Sequence, residues 1–403
     1  MRDVVITGIG LVSSLGEGGE THFERLSTGA TPVHDLTATA PYPIHPLAPL
    51  DLDTLIPKKS DQRQMEPWQR LGVYAAGLAL RDGGVLGNAE LLPKIHMIVA
   101  AGSGERDIAT DEAIMTGIRA ANDRDAYLNE QLSNNLRPTL FLAQLPNLLA
   151  GNISIIFGVT GSSRTFMGEE AAGLDALASV AARIRSGDVE MGLVGGAYSA
   201  PRPDMALVFA LGGALLSGDP APVWSRQGRG GGMVLGSVGA FLLLESRAHA
   251  EARGARIAAT LGPVLSDRSR RTGDSTLAMA RSLWSRMEPA LAPGPLGVLS
   301  GATGVEPVTG VERTMLEEAA ARREIVVRAS GTLLGHGIEA AVPANVGLAA
   351  LALGHRAFYP PFETDTIERP ATKAPEQIAV TSFGHWRGEG LVLLRRATSG
   401  GSA

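Results

Sequence analysis

With 403 residues, 44% hydrophobic, 19% charged and 50 glycines, the chain has a globular composition, which excludes a disordered or fibrous protein. Its length suits two domains or one fold of two halves and excludes a lone small domain. A net charge of −5 gives no footprint for nucleic acid, and the absence of cysteine excludes disulfides, thiolate metal sites and any thiolate nucleophile.

In chain order, Val4–Thr7 is the first strand candidate, followed by a helix over Pro67–Asp82 and a strand over Ile95–Ala100. Gly104–Arg137, polar and rich in charge, reads as an insertion over the body. A helix over Glu169–Arg185 comes next, then strands over Met191–Val194, Ala240–Leu244 and Ile257–Leu261. The remaining strands, Gly297–Leu299, Ile325–Arg328, Ile378–Thr381 and Leu391–Leu394, interleave with helices over Ser275–Met287, Val311–Arg322 and Gly337–Leu353. The proline-rich stretch Pro360–Pro375 reads as an irregular loop. Alternation of this kind predicts an α/β protein whose sheets are covered by helices. Continuous apolar runs such as MGLVGG and GAFLLLES predict strands buried on both faces.

The two halves repeat each other weakly. SSRTFMGEE leads into the helix AAGLDALASVAARIRSG, and IVVRASGTLLGHG leads into IEAAVPANVGLAALALG. Each half then presents one residue, Glu170 or His336, at a helix N-terminus beside a glycine turn. The opening MRDVVITGIG meets a glycine too early for a secretory segment, and no stretch of about 20 apolar residues offers a membrane span, so a soluble, cytoplasmic protein is expected. TGIGLVSSLG also invites a reading as the dinucleotide loop of an NAD-dependent oxidoreductase. Ser13 stands where a third glycine or alanine belongs, and no acidic strand end follows about 20 residues on, so this is a remote alternative.

Seven blocks carry a resemblance along the chain to about residue 396: MRDVVITGIGLVSSLG, IPKKSDQRQMEPWQRLGVYAAGLAL, NLLAGNISIIFGVTG, VGGAYS, MVLGSVGAFLLLESRAHAEARGARI, GTLLGHGIEAA and TSFG. Together, in this order, they resemble a β-ketoacyl-acyl-carrier-protein synthase of the elongating, type II kind. The resemblance implies the thiolase fold, two duplicated α/β halves in five layers α-β-α-β-α, here residues 1–245 and 246–403 with the insertion at about 104–137. It also implies a dimer acting on chains carried by the phosphopantetheine of an acyl carrier protein, with no cofactor or metal of its own.

Such enzymes use a cysteine at a helix start, two histidines that stabilise the enolate, and a supporting lysine. Counted back from Ser186–Asp188, the nucleophile position is Glu170. Anchored on Pro307, the first histidine position is Ala302; the second histidine is kept as His336, and the lysine position, five residues earlier, is Gly331. His385, followed by Trp386 and Arg387, stands where a gating phenylalanine is usual. A carboxylate is a poor acyl acceptor, because an anhydride is less stable than the incoming thioester. The resemblance therefore narrows to non-condensing relatives such as chain-length factors, which usually carry glutamine at this position, or to paired synthases of long-chain fatty-acid systems.

Glu170 in a first helical turn is also where the helix dipole favours any acid, and His336 also reads as a structural histidine of its glycine turn. By the same resemblance, Lys58, Lys59, Arg63 and Arg70 fall on the surface that docks the acidic carrier protein, though they also read as an ordinary solvated face. Thr139 and Leu140 fall where a side chain reaches into the neighbour's acyl tunnel. Two functions stay open. One is a non-condensing subunit paired, as homodimer or heterodimer, with an active synthase. The other is altered chemistry, malonyl-carrier-protein decarboxylation or thioester hydrolysis by Glu170 with His336.

Overall fold

The first strand runs well past its apolar start: β1 spans Val4–Ser13, and all ten of its residues are buried. It lies in the middle of the sheet with antiparallel neighbours on both sides, which explains its nearly unbroken apolar character. The computed structural model describes residues 2–102, 104–137, 140–271, 274–364 and 367–397. After β1 come α1 (Pro67–Asp82), β2 (His96–Ala100), α2 (Leu148–Phe157), β3 (Ser163–Phe166), α3 (Glu170–Ser186), β4 (Met191–Tyr198), α4 (Pro203–Leu211) and β5 (Val238–Ser246). The second half supplies β6 (Ala259–Asp267), α5 (Ser275–Met287), β7 (Leu296–Ser300), α6 (Val308–Ala320), β8 (Ile325–Ala329), α7 (Ala341–Gly354), β9 (Gln377–Phe383) and β10 (Glu389–Arg396).

The first five strands are ordered β3-β2-β4-β5-β1 and the last five β8-β7-β9-β10-β6, the same path shifted by five. In both, the first two pairings along that path are parallel and the next two antiparallel. Three residue pairs between β1 and β6 join them. Helices α3 and α7 form the middle layer, where Leu177, Val180 and Ile184 share one apolar cluster with Val346, Leu348 and Leu351. Outside the first sheet lie α1 and α2, through Tyr74, Leu78, Leu149 and Ile153. Outside the second lie α5 and α6, through Leu283, Met287, Met315 and Leu316. This is the five-layered α/β thiolase-like fold.

Local chemistry sets the ends of α1: Pro67 opens it, and Glu66 and Gln69 close a reciprocal capping box. A Cβ added at Gly8 or Gly10 would lie 2.2 or 1.9 Å from the carbonyl oxygens of Ala79 and Ala75, so these glycines let α1 sit directly on β1. TGIG is thus mid-strand packing and not a strand-to-helix phosphate loop, which removes the dinucleotide alternative.

The segment 104–137 holds two helices, Ile108–Gly117 and Arg124–Asn135, whose N-caps Asp107 and Asp123 accept from Thr110 and Ala126 N–H. Arg137 ties it to the body through Glu66 at 2.8 Å. His336 departs from expectation: a short helix, Gly331–Leu334, and a 3-10 turn, Ile338–Ala340, precede α7, so His336 lies in the turn between them and not on the first turn of a long helix. Among the described residues, no helix is long and apolar enough to cross a membrane.

Candidate active site

Three turns converge on one carboxylate. Gly168, at φ 138°, and Glu169, at φ 58°, reverse the chain so that Glu170 enters α3 as its first helical residue, only 3% exposed. His336 follows Gly335, whose φ of 71° favours glycine. The His336 N–H donates to the Val234 carbonyl at 2.8 Å, and its carbonyl accepts from Gly236 N–H at 3.0 Å, so a neighbouring strand segment holds the imidazole in place. His385 comes from the turn linking β9 to β10.

Glu170 Oε1 accepts three hydrogen bonds: from His336 Nε2 at 2.8 Å, His385 Nδ1 at 2.9 Å and the His385 backbone N–H at 3.1 Å. Its other oxygen, Oε2, is buried without a hydrogen-bond partner. Burial alone would raise the Glu170 carboxyl, but the two imidazole hydrogen bonds and the histidine charges outweigh it and hold the group well below the usual carboxylate range. His385 moves the other way. Burial lowers it, yet the hydrogen bond and charge of Glu170, with the charge of Glu169, raise it overall. Its Nε2 lies 3.9 Å from Glu169 Oε2, so both ring nitrogens face carboxylates. The carboxylate and the His385 imidazole thus shift in opposite directions, each favouring its charged form.

The metal-binding atom types of Glu170, His336 and His385 lie within 4.8 Å of one another. The carboxylate–imidazole spacings are hydrogen-bond lengths, with three N–H donors on Oε1 and Oε2 unpaired.

Ala302 and Gly331 line, with His336 and Asn345, a cavity of about 20 Å³, room for one water. The positions of the lost histidine and the lost lysine thus sit beside His336. Lys58, Lys59 and Arg63 are exposed and Arg70 is half-buried; Lys59 pairs with Asp53 at 2.5 Å, and Arg70 donates to the Gln62 carbonyl at 3.4 Å. Leu140, half-buried, begins a short helix, Leu140–Ala143, while Thr139 lies outside the described residues.

Several charged residues near the site escape sequence reasoning. Glu339 is fully buried, its carboxyl pushed up to about 7 by desolvation, with further upward contributions from the charges of Glu170 and Glu169. An acid inside the apolar run IEAAV was a readable signal. Arg271 and Glu389, an ion pair at 2.8 Å, brace the His385 turn. Arg271 gives no such signal, since RSRR reads as a solvated run.

The β-ketoacyl synthase N-terminal domain family matches residues 1–250. The chain is 26% identical over 390 residues to the 3-oxoacyl-[acyl-carrier-protein] synthase 2 of Vibrio cholerae serotype O1, covering 91% of this chain and 90% of that relative. Among solved structures, the ishigamide ketosynthase/chain length factor superposes with a TM-score of 0.77 at 22% identity, covering 98% of this chain and 100% of that one. A type II polyketide ketosynthase in complex with its acyl carrier protein, bound to the hexaketide, superposes with a TM-score of 0.73 at 16% identity, covering 98% and 100%. The family match spans well over half the sequence and the fold agrees with it: the chain belongs to the β-ketoacyl synthase family.

Proposed function

We propose that this protein is a non-condensing, chain-length-type subunit that pairs with a cysteine-bearing ketosynthase in fatty-acid or polyketide elongation, on chains carried by an acyl carrier protein. The observation that carries this reading is Glu170 Oε1, at the start of α3, which takes up both imidazole donors and the backbone N–H of His385. The imidazole at position 336 and a backbone N–H are donors of the kind a ketosynthase would aim at the oxygen of its thioester or enolate, and here the chain's own carboxylate engages them, together with the His385 imidazole at the gating position. With no cysteine in the chain, acyl transfer from a carrier protein has no thiolate acceptor.

The likeness in fold to a ketosynthase/chain length factor supports the pairing. So does the exposed apolar surface beside the edge strand β3, where Ile155 on α2 and Met167 just after β3 are 77% and 62% exposed. In this reading the units are 1–245 and 246–403, Lys58, Lys59, Arg63 and Arg70 face the carrier protein, and Leu140 forms part of the partner's tunnel wall.

Purified alone with malonyl-carrier protein, the chain is expected to release neither carbon dioxide nor free carrier. Reconstituted with a cysteine-bearing synthase, it is expected to set product length, and Leu140→Trp to shorten the products. An unchanged distribution counts against a tunnel-wall role. Carbon dioxide or free carrier from the chain alone would instead establish the altered-chemistry reading, for which the depressed, ionised Glu170 is a weak base.

A further inference from the structure

The turn that delivers His385 is bound to a second, distant segment by one side chain. Arg271, in the loop after β6, donates from its guanidinium to the carbonyls of Gly384 at 2.7 Å, Trp386 at 3.2 Å and Gly388 at 3.5 Å. It also pairs at 2.8 Å with Glu389, which has no exposed side-chain surface. Glu389 in turn accepts from the backbone N–H and hydroxyl of Ser269, both at 2.8 Å, so the 269–271 segment and the 384–389 segment hold each other from both sides. Arg271 adopts φ 58°, a left-handed conformation that a non-glycine residue keeps only where its surroundings fix it. The clamp ends at Gly384, where an added Cβ would lie 3.0 Å from Glu170 Oε2.

We propose that Arg271 is the positioning residue of this site: by bonding three carbonyls of the 384–388 turn, it holds the His385 imidazole and amide on Glu170. The planar fork of an arginine is suited to this, because it presents several donors in fixed directions to separate acceptors. A lysine carries the same charge on one rotating ammonium and cannot replace the fork. The inference concerns how the trio is assembled and stands whether the subunit shapes a partner's tunnel or performs chemistry.

Charge and position make opposite predictions. The groups facing His385 are Glu169 and Glu170 at the start of α3, His336 across the carboxylate, the Phe209 ring from α4 at 5.2 Å, and Arg271 itself. As a charge alone, Arg271 lowers the His385 titration, so its removal would raise it. As a clamp, its removal frees the turn, His385 leaves Glu170, and the titration falls.

The experiment is an NMR titration of the imidazoles in the full chain labelled with nitrogen-15 histidine, with the His385 signal assigned by its loss in His385→Gln. Wild type, Arg271→Lys and Arg271→Ala are compared, and His22, held down at about 4 by burial, reports that the fold is intact. Both variants are expected to lower the His385 titration by about one pH unit, the scale of a lost close ion pair. If Arg271→Ala does not fold, Arg271→Lys alone decides. A His385 titration that stays unchanged in Arg271→Lys, or that rises in Arg271→Ala, overturns the proposal.

Discussion

Glu170 concentrates the site's electrostatics on one atom. Its Oε1 holds three donors and its Oε2 none, so truncation and amidation have different consequences. Glu170→Ala leaves two imidazoles and an amide buried around a void, a loss of roughly 3–5 kcal/mol by analogy with broken buried pairs. Glu170→Gln keeps one acceptor and loses the charge, so its loss is expected to be smaller. Urea denaturation midpoints test the order, and an alanine variant as stable as wild type would show that the trio does not hold the turn. The pH dependence follows from His385. Its folded value lies above the ordinary 6.5, so its contribution is full below that pH and fades as the pH rises through the raised value. That component is expected to vanish in Glu170→Gln.

Helix α6 carries a second buried acid behind the site. Glu312 Oε1 accepts from the hydroxyls of Ser300 and Thr381, which in turn accept from Ala302 and Gly301 N–H. One carboxyl thus fixes the turn bearing Ala302 and the strand leading to His385. Desolvation pushes it up to about 7 from an ordinary 4.5. A raised acid contributes fully below its unfolded value and loses that contribution as the pH rises through its folded one. Melting temperature should therefore fall between about pH 5 and pH 8, and less steeply in Glu312→Gln, an isostere of the protonated form. Equal slopes would remove Glu312 from this role; Glu339 leaves a residual slope of the same sign. The stripe Val308, Glu312, Met315, Leu316 and Ala319 has helical spacing, so this acid could be read from sequence as buried. Strands buried on both faces, such as β4 and β5, are legible from their continuous apolar runs. The edge strand β3, SRTF, is not, since a four-residue polar segment carries no period. Helices α2 and α4 lack a clear polar face and went unread. Arg271 meets its partners more than a hundred residues along the chain, and no local pattern announces such a contact.

At the scale of the whole molecule the duplication decides where the site lies. Glu170 comes from the middle-layer helix of the first half, while His336 and His385 come from turns of the second, so the contact of Glu170 with His385 at 2.9 Å depends on the two halves packing together. The exposed apolar surface on α2 and beside β3 belongs to the same scale. Ile155→Glu is expected to abolish co-assembly with a cysteine-bearing synthase in size-exclusion chromatography while leaving the isolated chain folded. Retained co-assembly would place the interface elsewhere. The small cavity beside His336 also bears on what a thiol by itself would restore. A thiol restored at position 170 would find no histidine at 302 and no lysine at 331, and a Cβ at 331 would already press to 3.2 Å on the Ala302 oxygen and 3.3 Å on Val223. A cysteine at position 170 alone is therefore expected to leave the chain without condensing activity.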